Sequence, residues 1–199
     1  MFRRLIILAA LAVLTTGQAG AAPSAPVRVH VRVEGKTRTI YGAAEPTVSS
    51  TTTNALGALE AASLAGEFYY HVSPGPFVDQ VGRYHGEGFS GWSYKVNGVS
   101  PPIAADQATI KGGDTVLWYW TTFSEQGGSP TLLLRRRTGA NCYTVLSQND
   151  QGAMSPAVGA SLGVDGRRAR TRNGRGCVGR HRGLVRATAP NAVRSNALR

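Results

Sequence analysis

Residues Thr115 to Phe123 constrain this chain most, because they put large apolar side chains on both sides of one extended segment. Side chains alternate between the two faces of a strand, so Val116, Trp118 and Trp120 share one face while Leu117, Tyr119 and Phe123 share the other. A strand buried on both faces sits in the middle of its sheet. The segments before it supply neighbours. Val27, Val29, Val31 and Val33 alternate with Arg28, His30, Arg32 and Glu34, the period of a strand with one buried face. Glu34-Gly35-Lys36 then turns the chain into Thr37 to Tyr41. Thr53 or Asn54 is placed to cap a helix through Leu56, Leu59 and Ala62, with Gly66 to end it. Its alanines suit a helix lying close against a sheet. Trp92, Tyr94 and Val96 alternate with Ser93, Lys95 and Asn97, and Asn97-Gly98 is a turn signal. A hairpin, a helix and further strands with the last one central is the order of an α+β, ubiquitin-like β-grasp domain.

Charge and aromatic content divide the 199-residue chain in two. Residues 22–129 carry seven basic against nine acidic side chains, whereas residues 130–199 carry thirteen arginines against Asp150 and Asp165. Twelve of the fifteen aromatic residues fall between Phe68 and Phe123, and the C-terminal part has only Tyr143. The expected layout is a β-grasp domain over residues 22–123, a linker at 124–130 (Ser-Glu-Gln-Gly-Gly-Ser-Pro) and an arginine-rich, all-β sandwich module over 131–199. A module of about 70 residues with so thin a core needs a staple. Cys142 and Cys177 are expected to form a disulfide, because two cysteines in an exported protein pair by default.

Export is read from the first residues. Arg3 and Arg4 precede the apolar run Leu5 to Leu14, and Ala19-Gly20-Ala21 offers small residues for cleavage. This marks residues 1–21 as a signal peptide cut near Ala21 and places the mature chain outside the cell or on its surface. The run is shorter than the ~20 residues a bilayer span needs, and no later segment reaches that length, so no transmembrane span is expected in the mature protein.

Two motifs carry a family resemblance. Gly91-Trp92-Ser93-Tyr94-Lys95-Val96-Asn97-Gly98, followed by Gly113-Asp114-Thr115-Val116-Leu117-Trp118-Tyr119-Trp120, resembles the paired signature of the DUF4430 family over about residues 27–123. That family is similar to the C-terminal β-domain of the cobalamin carriers transcobalamin and intrinsic factor. The resemblance implies a β-grasp-like fold on an exported, often cell-surface protein. No cofactor is expected otherwise; cobalamin enters through this resemblance alone, and the helical domain that completes its site in the carriers has no counterpart in this sequence. More loosely, Ala160 to Gly166, Thr171 to Arg175 and Leu184 to Ala187 resemble the prealbumin-like and carboxypeptidase-regulatory modules of secreted proteins, which imply a spacer or adhesive unit.

No catalytic constellation is present in the sequence, and no enzyme activity is expected. His30, His71, His85 and His181 are scattered without metal-ligand spacing, and no Gly-x-Ser-x-Gly occurs. His85-Gly86-Glu87 sets an imidazole near a carboxylate, an arrangement more common in solvated loops. Residues 73–90 show no strand period and read as a long loop, a length that often marks function. Tyr70, Phe77, Tyr84, Phe89, Trp92 and Tyr94 are the candidate ligand contacts, although Trp92 and Tyr94 alternate as core residues do. Arg135, Arg136, Arg137, Arg167, Arg168, Arg170 and Arg172 are the candidate contacts to a polyanion. The alternative is a solvated basic face in a chain that uses arginine in preference to lysine throughout. A secretory leader argues against nucleic acid as the partner. Two functions follow as expectations: capture of a small molecule or envelope component by the DUF4430-like domain, or adhesion, with the basic module held at the anionic envelope.

Overall fold

The computed structural model describes residues 25–139 and 141–199. The expected signal peptide and its cut near Ala21 lie outside the described residues. The chain is mostly β-sheet with one short helix.

The first sheet is built around the two apolar segments. β1 (Val27–Glu34) is flanked on one edge by β2 (Thr39–Tyr41) and β3 (Thr47–Ser50), both antiparallel to it. Helix α1 (Ala55–Gly66) follows, then β4 (Tyr70–Ser73), β5 (Phe77–Val81), β6 (Tyr84–His85), β7 (Ser90–Val96) and β8 (Thr115–Thr122). β8 lies between β1, to which it is parallel, and β7, to which it is antiparallel. The central position expected of the doubly apolar strand is therefore observed.

Helix α1 packs on the face that carries Val29, Val31, Val33, Val116 and Trp118. Its N-terminus is fixed as expected: the Asn54 side chain accepts from the Gly57 amide at 2.8 Å. Ala55, Ala58, Leu59 and Ala62 are fully buried, and the Trp118 indole donates to the Ala55 carbonyl at 3.1 Å. Gly66 is the last helical residue, and the left-handed cap position is taken by Glu67 (φ 50°). Packing explains the glycine, because a Cβ there would run into the Tyr41 ring.

The stretch 73–90, expected to be structureless, is corrected by the structure. β4, β5 and β6 form a three-stranded antiparallel sheet. These strands are too short, and too closely punctuated by Pro74, Gly75, Pro76 and Gly82, to show a period in the sequence.

The remaining strands are β9 (Thr131–Arg136), β10 (Cys142–Gln148), β11 (Met154–Pro156), β12 (Ser161–Val164), β13 (Arg167–Arg170), β14 (Arg175–Cys177), β15 (Val185–Thr188) and β16 (Ala197–Leu198). β10 pairs with β9, β11 and β14 in one sheet, and the second sheet has the order β13-β12-β15-β16. One core joins the two sheets: Leu132, Leu134, Tyr143 and Val145 from the first, Leu162, Val164, Val185 and Ala187 from the second. Cys142 and Cys177 face each other directly across β10 and β14 and form a disulfide with an S–S distance of 2.06 Å.

The second face of the first sheet is covered as well. Leu117 and Tyr119 pack with Val193 from the C-terminal part. Arg32 and Glu34, which alternate in the sequence like solvent-facing residues, are 3% and 0% exposed, and Lys95 is 0% exposed. The connection at 124–130 is held near its C-terminal end: the Ser129 amide donates to Thr121 Oγ1 (2.6 Å) and the Gly128 amide to Asp150 Oδ2 (2.9 Å).

Candidate functional site

The six aromatic candidates do not converge on one site. Tyr84, Trp92 and Tyr94 belong to the core beneath α1. Trp92 donates its indole N–H to the Tyr84 carbonyl at 2.9 Å. Tyr94 stacks on Trp118 with centroids 5.2 Å apart and donates its hydroxyl to the Ile103 carbonyl at 2.8 Å. Burial, with a smaller push from Asp106, raises the Tyr94 phenol to about 12. The Tyr84 ring is inside, but its hydroxyl reaches exposed Thr37 (2.7 Å) and Arg83 (3.3 Å). Burial alone would raise the Tyr84 phenol; the hydrogen bonds from Thr37 and Arg83 and the Arg83 charge together outweigh it, bringing the pKa down to about 8. Tyr70 is half-buried against the same core. Phe77 and Phe89, at 69% and 84% exposure, remain on the surface. The Phe89 carbonyl accepts from the amide of Phe123, also exposed.

All seven candidate arginines are exposed. Arg135 and Arg136 end β9, where Arg136 lies over the Tyr143 ring at 5.8 Å, and Arg137 follows directly. Arg167, Arg168 and Arg170 lie on β13, an edge strand. Arg172 bridges Arg175 across the Asn173-Gly174 turn, both of whose residues have positive φ (48° and 68°). None of the seven makes an ion pair among the described residues. The two acids of this part of the chain are otherwise engaged. Asp150 lies 3.6 Å from the Lys95 ammonium. Asp165 accepts from the amides of Arg182 and Gly183, which with the nearby Arg167 and His181 hold its carboxyl below the usual range.

Sequence reasoning missed the junction between the two parts. There the buried Glu34 carboxylate takes Arg186, Arg194 (3.0 Å) and Arg32 (3.4 Å), and accepts from the Thr39 hydroxyl. Burial lowers the Arg186 guanidinium pKa, and Glu34 opposes that shift. Lys95 donates to Thr131 Oγ1 and to the carbonyls of Gln148 and Asn149 at 2.7–3.2 Å. Burial lowers its pKa, against the pull of Asp150. Two clefts open along this junction. The larger, about 530 Å³, includes Lys36, Trp120, Thr122, Ser129, Asn191 and Arg194 in its wall. The smaller, about 280 Å³, is walled in part by Arg135, Leu133, Met154 and Asn97. Among the described residues no three of His, Cys, Asp or Glu converge as metal ligands would, and no helix is long and apolar enough to cross a membrane.

This arrangement defines a β-rich chain whose most distinctive chemistry among the described residues is its charged junction and its exposed arginines. The family model of DUF4430, a domain of unknown function, matches residues 51–122, so this stretch, from just before α1 to the end of β8, is a DUF4430 domain. No curated protein and no solved structure matches the chain.

Proposed function

We propose that the chain is an exported, non-catalytic binding protein whose C-terminal part holds an anionic polymer of the cell envelope. One observation carries this reading: the interior arginines Arg32, Arg186 and Arg194 share a carboxylate, whereas none of the seven exposed arginines makes an ion pair among the described residues and only Arg167 has a carboxylate, Asp165, near it. Uncompensated guanidinium groups on a β surface suit carboxylate or phosphate groups repeated along a polymer. The same charges blunt the β13 edge against pairing with another chain, a role that needs no ligand. In this reading residues 22–123 form a β-grasp domain and residues 131–199 a small β-sandwich. The parallel β1–β8 pair under one helix supports the first assignment and the shared core of two sheets the second.

Salt decides between a binding face and a solvated one. Electrostatic attachment is screened as the Debye length falls from about 10 Å at 0.1 M to about 3 Å at 1 M salt. The protein is expected to sediment with envelope preparations at low salt and to elute at high salt. Changing Arg167, Arg168 and Arg170 together to glutamate should abolish sedimentation. Retention that neither salt nor the triple change affects would refute the reading.

The exposure of Phe77 and Phe89 favours a second reading, capture of a small molecule by the DUF4430 domain. Tryptophan fluorescence on titration with cobalamin tests the ligand that the family resemblance implies. An unchanged spectrum would remove cobalamin from consideration.

A further inference from the structure

The register of the parallel pair β1–β8 ends at Glu34 opposite Tyr119. β8 nevertheless continues through Trp120, Thr121 and Thr122, paired on its other edge with β7 as far as Ser90. The chain leaves the line of β1 at Gly35, so beyond Glu34 nothing continues that line beside β8 among the described residues. Phe123 donates its amide to the Phe89 carbonyl at 2.7 Å, which turns the backbone of Thr121 and Phe123 toward β7. By the alternation of an antiparallel ladder, the N–H of Thr122 and the C=O of Trp120 point the other way, along the vacated line, as does the Thr122 C=O, which also accepts the Thr121 hydroxyl at 3.4 Å.

The larger junction cleft lies along this line. Its wall carries two cations, Lys36 and Arg194, and no Asp or Glu. Lys36 is exposed and makes no ion pair among the described residues. Arg194 is anchored by its bonds from Nε to Glu34 and from Nη2 to the Gly35 carbonyl. A volume of about 530 Å³ is within the ~300–1,000 Å³ usual for ligand pockets.

We propose that this cleft binds a short acidic peptide in extended form, added as a strand along Trp120–Thr122, with its carboxylate held by Lys36 and Arg194. Strand addition uses backbone groups for affinity and neighbouring side chains for selection. The vacant strand line favours a peptide over a sugar acid, which would use the cations but not the alternating backbone groups. The inference does not depend on the exposed arginines, since none of the seven lines this cleft.

Amide spectra and hydrogen exchange of the full chain, titrated with acetyl-Asp-Val-Glu-amide, test it. Shifts are expected at Gly35, Lys36, Trp120 to Thr122 and Asn191 to Arg194, with slowed exchange at the Thr122 amide. The neutral acetyl-Asn-Val-Gln-amide should bind about tenfold or more weakly, and Lys36→Glu should cost the acidic peptide about the same factor. Lys36 is exposed in a turn, so this change leaves the core intact. Equal binding of the two peptides, no shifts at millimolar peptide, or shifts confined to residues 167–175 would overturn the proposal. Galacturonic acid producing the same Thr122 protection would overturn the peptide assignment. Failure of envelope binding, by contrast, would leave these shifts unaffected.

Discussion

Arg194 donates from Nε to Oε2 of Glu34 at 3.0 Å, across 160 residues of sequence. The carboxylate it meets is fully buried and also takes Arg186 and Arg32. Removing one member of a buried charge cluster leaves the others desolvated and unpaired.

Glu34→Gln is therefore expected to destabilise the protein by about 3–5 kcal/mol, while a surface change such as Glu125→Gln should do almost nothing. Because the cluster spans both parts of the chain, the intact protein should unfold in a single calorimetric transition, and the variant should separate it into two. Two transitions already present in the unaltered protein would show that the junction contributes little.

The Tyr84 hydroxyl should titrate near pH 8, visible as phenolate absorbance well below the tyrosine value of about 10. A phenol whose folded pKa is depressed adds stability that is complete above its unfolded pKa and is lost as pH falls through the folded one. Stability should accordingly rise between about pH 8 and pH 10, and Arg83→Ala should weaken that rise by returning the phenol toward its ordinary value. An Arg83→Ala protein with the same titration midpoint would contradict the assigned cause.

Thiol labelling after denaturation without reductant should find no reactive cysteine, given the Cys142–Cys177 bond. Closing a 35-residue separation in the unfolded chain is worth roughly 3–4 kcal/mol, so Cys142→Ser with Cys177→Ser should lower stability by about that much. Two labels per chain would show that the bond is not formed.

What could be read beforehand was whatever one segment decides alone. The Asn54 cap, the Asn97-Gly98 turn and the doubly apolar β8 each rest on local periodicity or turn chemistry, and each lies where expected. β5 and β6 were hidden because five and two residues between glycines and prolines leave no measurable period. The junction was hidden for a different reason. Arg32 and Glu34 alternate with valines as solvent-facing residues do, and only a second layer, distant in sequence, turns that face into an interior. A hint was present in Lys95, which pairs across the strands with Leu117 and so shares a face with an apolar residue of the central strand. The candidate aromatics divided along the same line: alternation correctly marked Trp92 and Tyr94 as core, and only the structure distinguishes buried Tyr84 from exposed Phe89.

The parallel pairing of β8 with β1 also separates two ideas that usually travel together, the recognisable domain and the piece of chain able to stand alone. The family match begins at residue 51, after β1, β2 and β3 have been made. A fragment cut at those limits would lack the strand that closes one long edge of β8 and supplies three of the fully buried valines against the helix. It would present an open, aromatic-flanked edge, the surface on which chains associate with one another. Grafting this domain into another protein thus requires carrying the preceding segment with it, and the natural unit of exchange is longer than the unit of recognition.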